Sequence, residues 1–178
     1  ITLIEPQVEM ARYLDRFCRR DAGARWIRAA AGATPGQQVL TVWGDLVGSS
    51  LLPAPSPGLR RDGWQREVPV VTLDALVAGG EMAIPELVKL DIQGYELAAL
   101  QGATSLMGHT EAFIVETSLY PFLPGQALAG EIIAFMAGHG YAVYDLPGFA
   151  RRPSDGALAQ VDICFARACG ELRRSPAW

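Results

Sequence analysis

Short apolar runs, each followed by a segment of helical spacing, recur along the chain, and this alternation is what most restricts its fold. Ile1–Ile4, Leu87–Ile92 and Ala112–Glu116 are too short for amphipathic helices and read as buried strands. Helical spacing follows each: Met10, Tyr13, Leu14, Phe17 and Cys18 after the first, Tyr95, Leu97, Ala98 and Leu100 after the second, and Leu128–Met136 after the third. Gly102 and Gly138 stand where the last two helices would end. Trp26–Ala31 and Gln38–Trp43 read as further strands, and Val70–Leu76 as an extended piece entering a helical turn. Strands joined through helices build a parallel sheet covered on both faces, an α/β fold. Tyr141–Leu146 and Val161–Ala168 break the pattern. Only a loop containing Arg152-Pro153 and Asp155-Gly156 separates them, so they are expected as an antiparallel hairpin at one edge. Residues 44–68, rich in Gly, Pro, Ser and Arg, read as a long connection of the kind that often forms a functional lid.

Composition narrows the function classes. With 178 residues, 50% of them hydrophobic, the chain can bury a core and reads as one domain. Lys and Arg number 15 against 19 Asp and Glu, a net charge of −4, which argues against a nucleic-acid partner held through phosphates. No apolar run approaches the ~18 residues of a membrane-spanning helix. Ile1-Thr2-Leu3-Ile4-Glu5-Pro6 lacks the basic head and long apolar stretch of a signal peptide. It also lacks an initiator methionine, so a piece of a longer chain is expected. Cys18, Cys164 and Cys169 form no CxxC pair and read as reduced thiols, the first two in the core, in keeping with a cytoplasmic location.

In open α/β sheets ligands bind beyond the carboxyl ends of the strands. The informative residues are therefore Glu5, the Ala29–Gly32 turn, Asp91 and Glu116. Glu5 could accept hydrogen bonds from both ribose hydroxyls of an adenosine, or merely cap the next helix. Adjacent strands lie ~4.8 Å apart, so Asp91 and Glu116 could face one crevice. There they could orient a substrate hydroxyl, take its proton or hold a divalent cation. No metal is assigned, because no histidine or third acid is placed to complete a site. Lys89 shares a strand face with Asp91, so a buried ion pair is the plain alternative. Glu96 stands in a first helical turn, where a carboxylate favours the dipole. His109 and His139 read as surface residues. Ser49-Ser50 could border a substrate or form a turn, and Ser118–Phe122 could wall a pocket or simply pack. Arg60-Arg61 and Arg151-Arg152 read as solvated surface, with contact to an anionic substrate as the alternative.

Taken together, several segments resemble the FkbM family of methyltransferases. They are Ile4-Glu5-Pro6, the Ala29–Gly32 turn, Ser49-Ser50-Leu51-Leu52, Val70-Val71-Thr72-Leu73-Asp74, Leu87-Val88-Lys89-Leu90-Asp91-Ile92-Gln93-Gly94-Tyr95-Glu96, Leu100-Gln101-Gly102-Ala103 and Ile114-Val115-Glu116. Towards the end come Gly140-Tyr141, Tyr144-Asp145-Leu146, Asp155-Gly156 and Gln160-Val161-Asp162. The resemblance implies a Rossmann-like class I sheet with a C-terminal antiparallel hairpin. It also implies methyl transfer from S-adenosyl-L-methionine to a hydroxyl of a small molecule, a sugar or secondary metabolite. Glu5 would hold the ribose, Ala30 and Ala31 would border the adenine, and Asp91 would lie near the reacting methyl, with Asp91 and Glu116 as the catalytic pair. One departure stands out. The Gly-rich strand and turn that should precede Ile1 are absent, and in class I sheets that strand sits in the middle. The expectation is therefore a gap, or a direct pairing, between Ile1–Ile4 and Leu87–Ile92, and a chain inactive as given. Two other readings remain at this point. A nicotinamide oxidoreductase would use Glu5 equally well, but the closing hairpin opposes it. A methyltransferase-like binding domain without catalysis is favoured by the absent glycine turn and opposed by Glu5, Asp91 and Glu116.

Overall fold

The computed structural model describes residues 1–53 and 64–175. Arg60-Arg61 thus lies outside the described residues. The strands are β1 (Thr2–Ile4), β2 (Arg25–Ile27), β3 (Ala30–Ala31), β4 (Gly36–Val42), β5 (Trp64–Val71), β6 (Leu87–Leu90), β7 (Ala112–Ser118), β8 (Tyr141–Arg151) and β9 (Leu158–Arg167). The α-helices are α1 (Ala11–Arg20), α2 (Leu73–Ala78), α3 (Glu96–Gln101) and α4 (Ala129–Gly138).

The C-terminal sheet has the order β6-β7-β9-β8. β6 and β7 run parallel with Leu90 opposite Val115, while β9 runs antiparallel to both β7 and β8. The closing hairpin is therefore present, and β8 runs further than its apolar start suggests, through three register irregularities. Inward positions of β7 and β9 alternate with half-buried ones, as the two-residue strand period requires. Phe113, Val115, Ile163 and Phe165 from these strands meet Leu100, Leu106, Ile132 and Met136 in the main core. Tyr141 sets its ring edge-on to Phe113 at 5.1 Å and donates its hydroxyl to the Thr110 carbonyl at 2.6 Å.

The front half departs from one continuous parallel sheet. Among the described residues β1 and β2 form a parallel pair, and β3-β5-β4 a separate sheet whose β4 and β5 are antiparallel. The end of the segment read as loop, Trp64–Val68, is the first part of β5. Its polar Gln65, Arg66 and Glu67 hid the strand, which turns apolar residues inward only at Val68 and Val70. The run Trp26–Ala31 is two strands in two sheets, because the chain turns at Arg28–Ala29, where the Ala29 N–H donates to the Ile27 carbonyl at 3.0 Å. Cys18 and Cys164 are half-buried and outside the core; Cys18 rides on α1, which has no fully buried residue.

β1 pairs with β2 and β6 with β7, and among the described residues no ladder joins β1 to β6. Of the two arrangements expected there, the structure has the gap. α3 and the β3 turn approach closely instead. The Asp74 N–H donates to the Gly102 carbonyl at 2.9 Å, and a methyl group on Gly102 would collide with the Gly32 carbonyl oxygen. Asp74 itself accepts from the backbone and hydroxyls of Thr104 and Ser105, which ties α2 to the turn after α3.

Candidate functional site

The turn between β6 and α3 is built by two consecutive left-handed residues, Gln93 (φ 54°) and Gly94 (φ 96°). A side chain in that conformation is uncommon and has to be held by its surroundings. Glu96 does this from inside. Only 4% exposed, it accepts the Ile92 and Gly94 N–H groups at 3.0 and 3.1 Å through Oε1. Ser50 Oγ donates to the Gln93 carbonyl at 2.7 Å from the opposite side. Glu96 is therefore a clamp on the turn, more than the dipole partner its helical position suggests.

The turn aims the Gln93 amide at two acids. Gln93 Nε2 donates to Asp91 Oδ1 and to Glu116 Oε2, each at 3.1 Å. Gln160, on β9, donates to the same Glu116 oxygen at 3.2 Å. Lys89 Nζ donates to Asp91 Oδ2 at 2.6 Å, an ion pair with both side chains about half exposed and not buried. Asp91 follows the last residue of β6, whereas Glu116 lies within β7, opposite Asp162 on β9. Burial pushes the Glu116 carboxyl up to about 7, helped by the charges of Asp91, Glu96 and Asp162 and opposed by Lys89. Burial lowers the tendency of Lys89 to hold its proton, but the Asp91 contact outweighs it and the net shift is upward.

A cavity of about 480 Å³ opens beside this turn. Glu5, Ala30, Ala31, Asp91 and Gln93 all line it. Glu116 does not, and reaches it only through the Gln93 amide. Glu5 follows β1, accepts the Gln7 N–H at 2.7 Å, and has its pKa raised, chiefly by burial. Ala30 and Ala31 are buried and small, so they leave room for a flat group against β3. Ser49 lines the same cavity and donates to Gln7 Oε1 at 3.0 Å. The volume falls in the range of about 300–1,000 Å³ usual for small-molecule sites. The cavity is thus lined by two acids, Glu5 and Asp91, with Gln93 linking Asp91 to Glu116 behind it.

Sequence reasoning reached Glu5, Ala30, Ala31, Asp91 and Glu116 and missed Gln93 and Gln160. The Gln93-Gly94 step between a strand and a helix was the available signal for the first; nothing local marks Gln160. His109 and His139 are both exposed, the latter stacked on Phe135. Among the described residues no group of three or more His, Cys, Asp or Glu is arranged to hold a metal ion, and no helix is long and apolar enough to cross a membrane.

A family model described as the methyltransferase FkbM domain matches residues 6–143. The fold is similar to the crystal structure of methyltransferase FkbM from Methylobacillus flagellatus KT, with a TM-score of 0.52 and 18% identity. That alignment covers 91% of this chain and 36% of the solved one, so the chain spans little more than a third of that structure. At this identity the likeness is one of fold. No curated protein sequence matches the chain.

Proposed function

Because the chain belongs to the FkbM methyltransferase family, we propose that it moves the methyl group of S-adenosyl-L-methionine to a hydroxyl of a small acceptor, a sugar or secondary metabolite. The observation that carries this reading is one cavity lined both by Glu5 and by Asp91 with the Gln93 bridge. Residues present fit the adenosine half of the methyl donor: Glu5 has lone pairs for the ribose hydroxyls, and Ala30–Ala31 leave a flat space for adenine. When bound, the sulfonium supplies an already activated methyl. What remains for the protein is alignment, exclusion of water and removal of a proton.

Asp91, tied to Lys89 and Gln93, orients the acceptor hydroxyl. Glu116, pushed up to about 7 and joined to Asp91 through the Gln93 amide, sets the charge beside it. The acceptor oxygen would form the new carbon–oxygen bond as the carbon–sulfur bond breaks, with the hydroxyl proton passing to Asp91, the acid of the pair that lines the cavity. Titration calorimetry of the full-length protein tests the donor half. S-adenosylhomocysteine should bind and NAD should not, and Glu5→Ala should weaken the first by about 10- to 100-fold, the scale of hydrogen bonds to a charged group. Binding of NAD alone would move the protein to the oxidoreductases.

A further inference from the structure

A second cleft, of about 350 Å³, lies beside the first and shares Gln93 with it as a common wall. Gln160, the other donor to Glu116, also lines it. Phe122 and the end of β8, where Arg151 and Arg152 stand, line it as well. The two arginines differ. Arg152 is neutralised by Asp155 and lies over the Tyr120 ring at 4.4 Å. Arg151 donates Nη1 to the Gly156 carbonyl at 3.0 Å, and among the described residues no carboxylate pairs with it. The cleft therefore brings together two amides that donate to Glu116, one of them also to Asp91, and an exposed guanidinium that lies over the Phe149 ring at 5.6 Å and has four donors to spare.

We propose that this cleft is the acceptor subsite and that it takes a hydroxylated small molecule carrying a carboxylate or phosphate, with the anion on Arg151 and a hydroxyl against Gln93 and Gln160. The assignment rests on the methyl-transfer reading for its role, but its chemistry stands on the cleft alone. Charge sets the orientation: the anion is repelled by the acids behind the glutamines and attracted by Arg151, so the hydroxyl end points to the Gln93 wall. Arg151 is suited to the task because its planar fork matches either oxyanion bidentately.

The test is a nuclear magnetic resonance titration of the full-length protein with glucose 6-phosphate, glucuronate and uncharged glucose, following the Gln93 and Gln160 side-chain amides and the Arg151 guanidinium. The charged probes should give saturable shifts at all three groups, and whichever binds tighter names the oxyanion. Glucose should bind at least about tenfold more weakly, and Arg151→Gln should cost at least about tenfold with the charged probes. Arg151→Lys should recover part of that loss. Equal binding of glucose, or charged-probe affinity unchanged in Arg151→Gln, would overturn the proposal. S-adenosylhomocysteine binding without any shift from the anionic probes would also overturn it, and leave the methyl-transfer reading standing. Arg151-dependent anion binding with no affinity for S-adenosylhomocysteine would do the reverse.

Discussion

Glu116 faces Asp162 across the β7–β9 ladder and shares one amide with Asp91, so adding a negative charge there is costly. Its carboxyl has a higher pKa folded than unfolded, about 7 against 4.5. The stability this contributes is fully present below about pH 4.5 and is lost as pH rises through about 7. Urea midpoints should therefore fall between about pH 5 and pH 8, and Glu116→Gln should flatten that fall. In methyl transfer the sign is opposite, because an ionised Glu116 adds negative charge beside the acid that takes the proton: kcat should rise with pH up to about 7 and level off, and Glu116→Gln should remove the inflection. Asp91→Asn should lower kcat by about a hundredfold while donor affinity changes much less. An equal loss of donor binding would make Asp91 a binding residue only. At this scale the strand-end positions of Glu5 and Asp91 were legible, whereas Glu116, expected to end its strand, lies inside β7. The glutamines that join them were not, because an amide carries no charge and its worth depends on a backbone turn and a distant strand.

Among the elements, the contact between the end of α3 and the β3 turn depends on Gly102, which lets two backbones approach where a side chain would collide with the Gly32 carbonyl. Gly102→Ala should destabilise by about 1–3 kcal/mol in chemical denaturation, the scale of overpacking. Gly130, in α4 with open space around a would-be Cβ, is the control: its replacement by Ala should be neutral or stabilising by up to ~1 kcal/mol. β7, β9 and α4 could be read because apolar runs there coincide with buried faces, whereas β8, exposed over most of its length, was read only at its apolar start. β5 could not, because most of its first residues are polar and its strand character comes from pairing with β4 along its whole length. β2 and β3 were fused because apolar residues stand on both sides of Arg28, and one arginine does not mark the bend that separates them.

For the whole molecule, the gap between β1 and β6 is the dominant feature. Each strand offers one edge that no described strand satisfies, and unpaired backbone groups buried there would cost about 1–3 kcal/mol apiece. A parallel strand entering between them would satisfy both edges at once. That the sheet opens here was readable from the family resemblance, whereas its division into three sheets was not, since pairing partners far apart in sequence leave no local trace. Glu5 and Asp91 stand on opposite sides of the gap and line one cavity. A molecule gripped by both is a strut between sheets that share no ladder, so the placement of those sheets becomes part of its binding equilibrium.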